Sequence, residues 1–108
     1  MIYELRVYHC MPGKLPALSK RFETVTTRLF AKHGFEQVGY WTVAIGQSSA
    51  DFVYMLKWES HAHRDRAFAA FQSDPEWIEA RQKSETDGPL VASITNTILA
   101  PTSYSALK

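Results

Sequence analysis

A chain of 108 residues, 45% hydrophobic and 21% charged, is enough for one domain and leaves no room for a separate cofactor-binding unit. The formal net charge of +1 lacks the basic excess that a phosphate backbone demands, so nucleic acid is not an expected partner. No apolar stretch approaches the roughly 20 residues that span a bilayer, and the single cysteine, Cys10, excludes an internal disulfide and a cysteine-built metal site.

The opening MIYELRVYHC alternates with period two and predicts a strand from Ile2 to Met11. It carries Glu4 and Arg6 where a targeting segment would be apolar, so a cytoplasmic protein is expected. MPGK breaks the strand at Pro12 and Gly13. From Lys14 to His33, Leu15, Leu18, Phe22, Val25 and Leu29 recur at spacings of three and four, predicting one amphipathic helix with a basic last turn and a stop at Gly34.

FEQVGYWTVAIG and DFVYMLKWES, rich in aromatic and β-branched residues and separated by QSSA, predict a hairpin. Ser60 is a good N-cap for a helix to about Phe71 that buries Ala67, Phe68 and Phe71, and Asp74 before Pro75 starts a second helix to about Thr86. DGPLVASITNTILAP ends that helix and supplies a last strand before Pro101. One domain is expected over residues 1–101, with residues 102–108 as a tail.

The order strand, helix, two strands, helix pair, strand is that of a ferredoxin-like split βαβ domain, an α+β antiparallel sheet with helices on one face. Both faces of its strands carry bulky apolar groups. With Leu5, Val7, Phe52, Tyr54, Leu56 and Trp58 toward the helices, Ile2, Tyr8, Tyr40, Val53 and Met55 fall on the second face, which calls for cover by a second copy of the chain.

The segments MIYELRVYHCMPGKLP, KHGFEQVGYWT, VYMLKWES and DPEW, in that order from Met1 to about Pro101, resemble the NIPSNAP family of the dimeric α/β-barrel superfamily. The resemblance implies a homodimer, here expected as one domain without the leader of the family's mitochondrial members. It implies no particular reaction, because the family has none agreed. Neighbouring families include cofactor-free monooxygenases, isomerases and haem-handling enzymes, a fold-level analogy that selects no chemistry.

Among candidate site residues, His61 and His63 lie two apart on a helix and cannot chelate together, so no metal is expected. No G-x-G-x-x-G, P-loop, G-x-S-x-G or H-E-x-x-H stands in the sequence, and no cofactor is expected. Glu4, Arg6 and Tyr8 share one side of the first strand, as a polar stripe, an ion pair at the dimer interface or a site. The first expectation is a homodimer binding a small apolar or aromatic molecule in a pocket lined by Trp41, Tyr54, Trp58 and Phe68, with Arg6 or His61 as polar contact. The alternatives are a cofactor-free monooxygenase or isomerase with His61 or His9 as base, and a module whose only role is assembly.

Overall fold

The computed structural model describes all 108 residues. Strand β1 (Ile2–Cys10) is followed by α1 (Leu15–Arg21), a π-helical turn (Phe22–Thr26) and α2 (Thr27–Lys32), which run on as one continuous helix. Strands β2 (Glu36–Thr42) and β3 (Asp51–Trp58) form the hairpin, then come α3 (His61–Gln72), α4 (Pro75–Ser84) and β4 (Val91–Leu99). All neighbours in the sheet are antiparallel in the order β2-β3-β1-β4, the ferredoxin-like topology.

The caps form as the local chemistry dictates. Ser60 Oγ accepts from the His63 amide at 3.1 Å, and Asp74 Oδ1 accepts from the Glu76 amide at 2.9 Å with Pro75 at the first helical position. Helix α2 stops where Gly34 takes a φ of +80°. There the Phe35 and Gly34 amides return to the carbonyls of Phe30 and Ala31, and the rings of Phe30 and Phe35 stack at 4.2 Å across the turn.

The π turn departs from the expected single stripe. The run Glu23-Thr-Val-Thr-Thr crowds β-branched side chains onto the helix, and Thr24 and Thr27 bond back to the carbonyls of Lys20 and Glu23. One extra residue in the turn shifts the buried face, so Thr26 and Phe30 join Leu18, Phe22 and Leu29 inside while Val25 stays half-buried.

The register corrects the expected faces of the first two strands. Residues directly opposite on paired strands project to the same side. Glu4 stands opposite Leu56, Arg6 opposite Tyr54 and Tyr8 opposite Phe52, and those three β3 residues belong to the core beneath the helices. Ile2, Glu4, Arg6 and Tyr8 therefore face the helices, and Leu5 and Val7 lie on the second face with Val53 and Met55. On β2, Tyr40 pairs with Tyr54 on the helix side and Trp41 with Val53 on the other, again the reverse of expectation. Alternation with apolar groups on both sides does not identify the inner side, and the polar residues are tolerated inside because they bond to one another.

The helices do not cover the sheet evenly. Helix α4 has no buried residue, and the edge strand β4 is exposed along most of its length, with Ile94 and Ile98 open on the helix side. A hollow remains between the helices and the β1–β4 half of the sheet.

Candidate functional site

Alternation along β1 places Glu4, Arg6 and Tyr8 side by side under the helices, and burial then forces them to pair. The fully buried Glu4 carboxylate accepts from Trp58 Nε1 at 2.9 Å, from Arg6 Nη1 at 3.0 Å, and from Arg64 Nε and Nη2 at 2.9 and 2.8 Å. Burial raises its pKa, but the bonds from Arg64 and Trp58 and the charge of Arg6 more than offset this and hold the carboxyl below its usual range.

Arg6 uses three of its five N–H donors within the cluster: Nη1 to Glu4, Nε to the Tyr54 hydroxyl at 2.7 Å and Nη2 to the Tyr8 hydroxyl at 3.2 Å. Burial disfavours its charge, while Tyr54, Tyr8 and Glu4 outweigh that and leave the guanidinium above its ordinary pKa. Two cations approach the Phe68 ring, with Arg6 Cζ and Arg64 Cζ each 5.0 Å from its centroid.

The hydroxyls of Tyr8 and Tyr54 are 2.9 Å apart. Tyr54 is fully buried and touches no other acceptor at its hydroxyl, so its proton goes to Tyr8. Tyr8 oxygen then accepts from both Arg6 and Tyr54, and its own proton is left to point elsewhere. Burial pushes the Tyr54 phenol well above its usual pKa and keeps it protonated.

Tyr8 and Arg6 form part of the floor of a cavity of about 900 Å³ between the sheet and the helices. Val91 and Ile94 of β4 extend that floor, and Phe22, Thr26 and Phe30 form the wall from the π turn and α2. Helix α3 contributes Phe68 and Phe71, and α4 contributes Trp77 and Arg81. Arg21 closes one end, where Nη1 donates to Ser84 Oγ at 3.0 Å and Glu85 Oε2 at 3.1 Å, and its Cζ lies 5.0 Å from the Trp77 ring.

Two buried polar atoms of residues that border the cavity, Arg21 Nε and Thr26 Oγ1, have no hydrogen-bond partner, and both are sealed from solvent. Burial pulls the Arg21 guanidinium below its ordinary pKa, and the neighbouring Glu85 does not fully offset the loss.

The residues expected from the sequence are distributed unevenly about this cavity. Arg6 and Phe68 line it. Tyr54 and Trp58 lie fully buried behind it and act through Arg6 and Glu4. Trp41 is on the second face, 49% exposed, with its ring folded over Gly39. His9 is also on that second face, between Asp51 Oδ1 at 2.9 Å and Thr95 Oγ1 at 2.8 Å. His61 is exposed at the start of α3 and is not part of the lining. Arg21, Thr26 and Arg64 are the residues the sequence reading missed. Arg21 could have been found, because it lies three residues after Leu18 on the apolar stripe, where a lone cation requires a buried partner.

No helix is long and apolar enough to cross a membrane. The NIPSNAP family model matches residues 3–106. The human protein NipSnap homolog 3A is 33% identical over 79 residues, which are 73% of this chain and 31% of that protein, so the chain spans about a third of the length of that curated relative. A NIPSNAP family protein of unknown function from Agrobacterium tumefaciens, Atu4242, is 29% identical with a TM-score of 0.86 over 100% of this chain and 94% of its own. A second NIPSNAP family protein from the same organism, Atu5224, is 25% identical with a TM-score of 0.87 over 99% and 98%.

Proposed function

The chain belongs to the NIPSNAP family, and we propose that it is a cytoplasmic homodimer whose protomers each bind one small, largely apolar or aromatic molecule between sheet and helices. The observation that carries the binding reading is the cavity of about 900 Å³, walled by Phe22, Phe30, Phe68, Phe71 and Trp77 and lined elsewhere by polar side chains that include Arg6, Tyr8 and Arg21. Small-molecule sites have this size and combine an aromatic wall with polar groups that fix orientation. A domain that only assembles has no use for such a hollow, since packing would fill it. No histidine lines the cavity, and of its polar side chains we take Arg6 as the ligand's polar contact.

The dimer reading rests on the second sheet face. Leu5, Val7, Val53 and Met55 stand there half-buried across the two central strands, and no helix of the same chain lies on that side. A second copy presenting the same strip would cover it isologously.

Titration with the neutral fluorophore N-phenyl-1-naphthylamine tests the binding reading. Saturable binding of one fluorophore per chain is expected, and Val91→Trp, which fills the cavity from β4, should abolish it. Absence of saturable binding by the native chain, or unchanged binding by the filled variant, overturns the reading.

A further inference from the structure

We infer that the cavity is built for a monoanionic aromatic molecule, whose acceptor head is held by the unspent donors of Tyr8 and Arg6; this rests on the binding reading above and specifies its ligand class. The argument is one of hydrogen-bond polarity. Tyr8 has its proton free because Tyr54 and Arg6 both donate to its oxygen. Arg6 has two N–H groups beyond those given to Glu4, Tyr54 and Tyr8.

A free hydroxyl proton and two free guanidinium N–H groups on one cavity floor call for a ligand that supplies acceptors. The carboxylate on the lining, Glu85, is already held by Arg21 and Arg81, so it does not satisfy them.

Charge points the same way. The charged side chains that line the cavity are the guanidiniums of Arg6, Arg21 and Arg81 and the carboxylate of Glu85; with Glu4 paired behind Arg6, one positive charge is in surplus. A single anionic head balances it. The aromatic body follows from the wall, where the edges and faces of Phe22, Phe68, Phe71 and Trp77 supply the contact surface.

The test compares 2-naphthoate with its isosteric neutral amide, 2-naphthamide, by isothermal titration calorimetry on the whole chain. The amide has no charge and presents an NH2 donor where the carboxylate presents its second acceptor, so the donor-lined cavity should prefer the naphthoate by tenfold or more. Tyr8→Phe removes one donor and keeps the shape of the side chain. It should weaken naphthoate by about tenfold and the amide by less. Equal binding of naphthoate and amide by the native chain overturns the anion assignment while leaving the binding reading intact, as does a preference that survives undiminished in Tyr8→Phe. Failure of both compounds together with the neutral fluorophore overturns the binding reading itself.

Discussion

The Glu4 carboxylate and the Arg64 guanidinium meet in a two-pronged pair, Nε to Oε1 at 2.9 Å and Nη2 to Oε2 at 2.8 Å, that ties the first strand to helix α3. One partner is fully buried, so the pair cannot be exchanged for water without penalty. Glu4→Gln removes the charge that both Arg6 and Arg64 use and should lower stability by about 3 kcal/mol. A urea unfolding curve with an unchanged midpoint would show that the pair contributes nothing to the fold.

Acid should weaken the protein through Glu4 and Asp74. Asp74 is held below its ordinary value of 3.8 by bonds from His33 and Lys32 and by the Glu76 amide. Glu4, ordinarily at 4.5, is also depressed. A carboxyl with a lower pKa in the folded than in the unfolded chain stabilises fully above the unfolded value and loses that contribution as pH falls through the folded one. Stability should therefore be flat above about pH 5 and decline below about 4.5. In Asp74→Asn, which keeps a helix cap but removes the charge, the acid decline should be shallower by thermal melts at several pH values. An identical decline would exclude Asp74 as a contributor.

Thr26→Val should stabilise the ligand-free chain by about 1 kcal/mol, because it replaces a buried hydroxyl that has no partner with a methyl of the same shape. Chemical denaturation measures the shift. A loss of stability would mean that the hydroxyl is bonded in solution.

Met55→Lys should break the proposed dimer. Met55 lies opposite Leu5 on the second sheet face, and a lysine there would carry an unpaired ammonium into the interface of each subunit at a cost of several kcal/mol. The helix-side core does not contain Met55, so far-UV circular dichroism should change little while sedimentation moves to the monomer or to aggregates. A soluble Met55→Lys dimer would show that this face is open to water and would end the sheet-to-sheet reading.

Element positions were legible in the sequence wherever a single side chain marks a boundary, as Ser60, Asp74 with Pro75, and Gly34 do. The order of those elements was enough for the sheet topology. The facing of β1 was not legible, since Leu5 and Val7 look like core and Glu4, Arg6 and Tyr8 look like surface. The buried identity of the second group depends on Arg64, Trp58 and Tyr54, which arrive from distant segments. The cavity was half legible, because Phe68 and Arg6 were chosen on general grounds, while Thr26 enters the lining only through a shift of helical register that no propensity argument anticipates. Trp41 misled because an aromatic residue next to Tyr40 falls on the opposite face of the same strand.

The π turn at Phe22–Thr26 also bears on how this site tolerates insertion and deletion. Removing one residue between Glu23 and Val25 would let the turn close into α geometry with the two halves of the helix in their present phase, because Thr26 and Phe30 would then stand three and seven residues after Phe22, on the stripe of Leu18 and Phe22. Thr26 and Phe30 would keep the cavity wall, and the stack of Phe30 on Phe35 would stay closed. A second residue lost from the same stretch would find no wide turn to absorb it, and would rotate the second half by about 100° relative to the first. The turn therefore holds one residue in reserve. A variant shortened by one is expected to retain both the sheet and the chamber, and a variant shortened by two to lose the chamber.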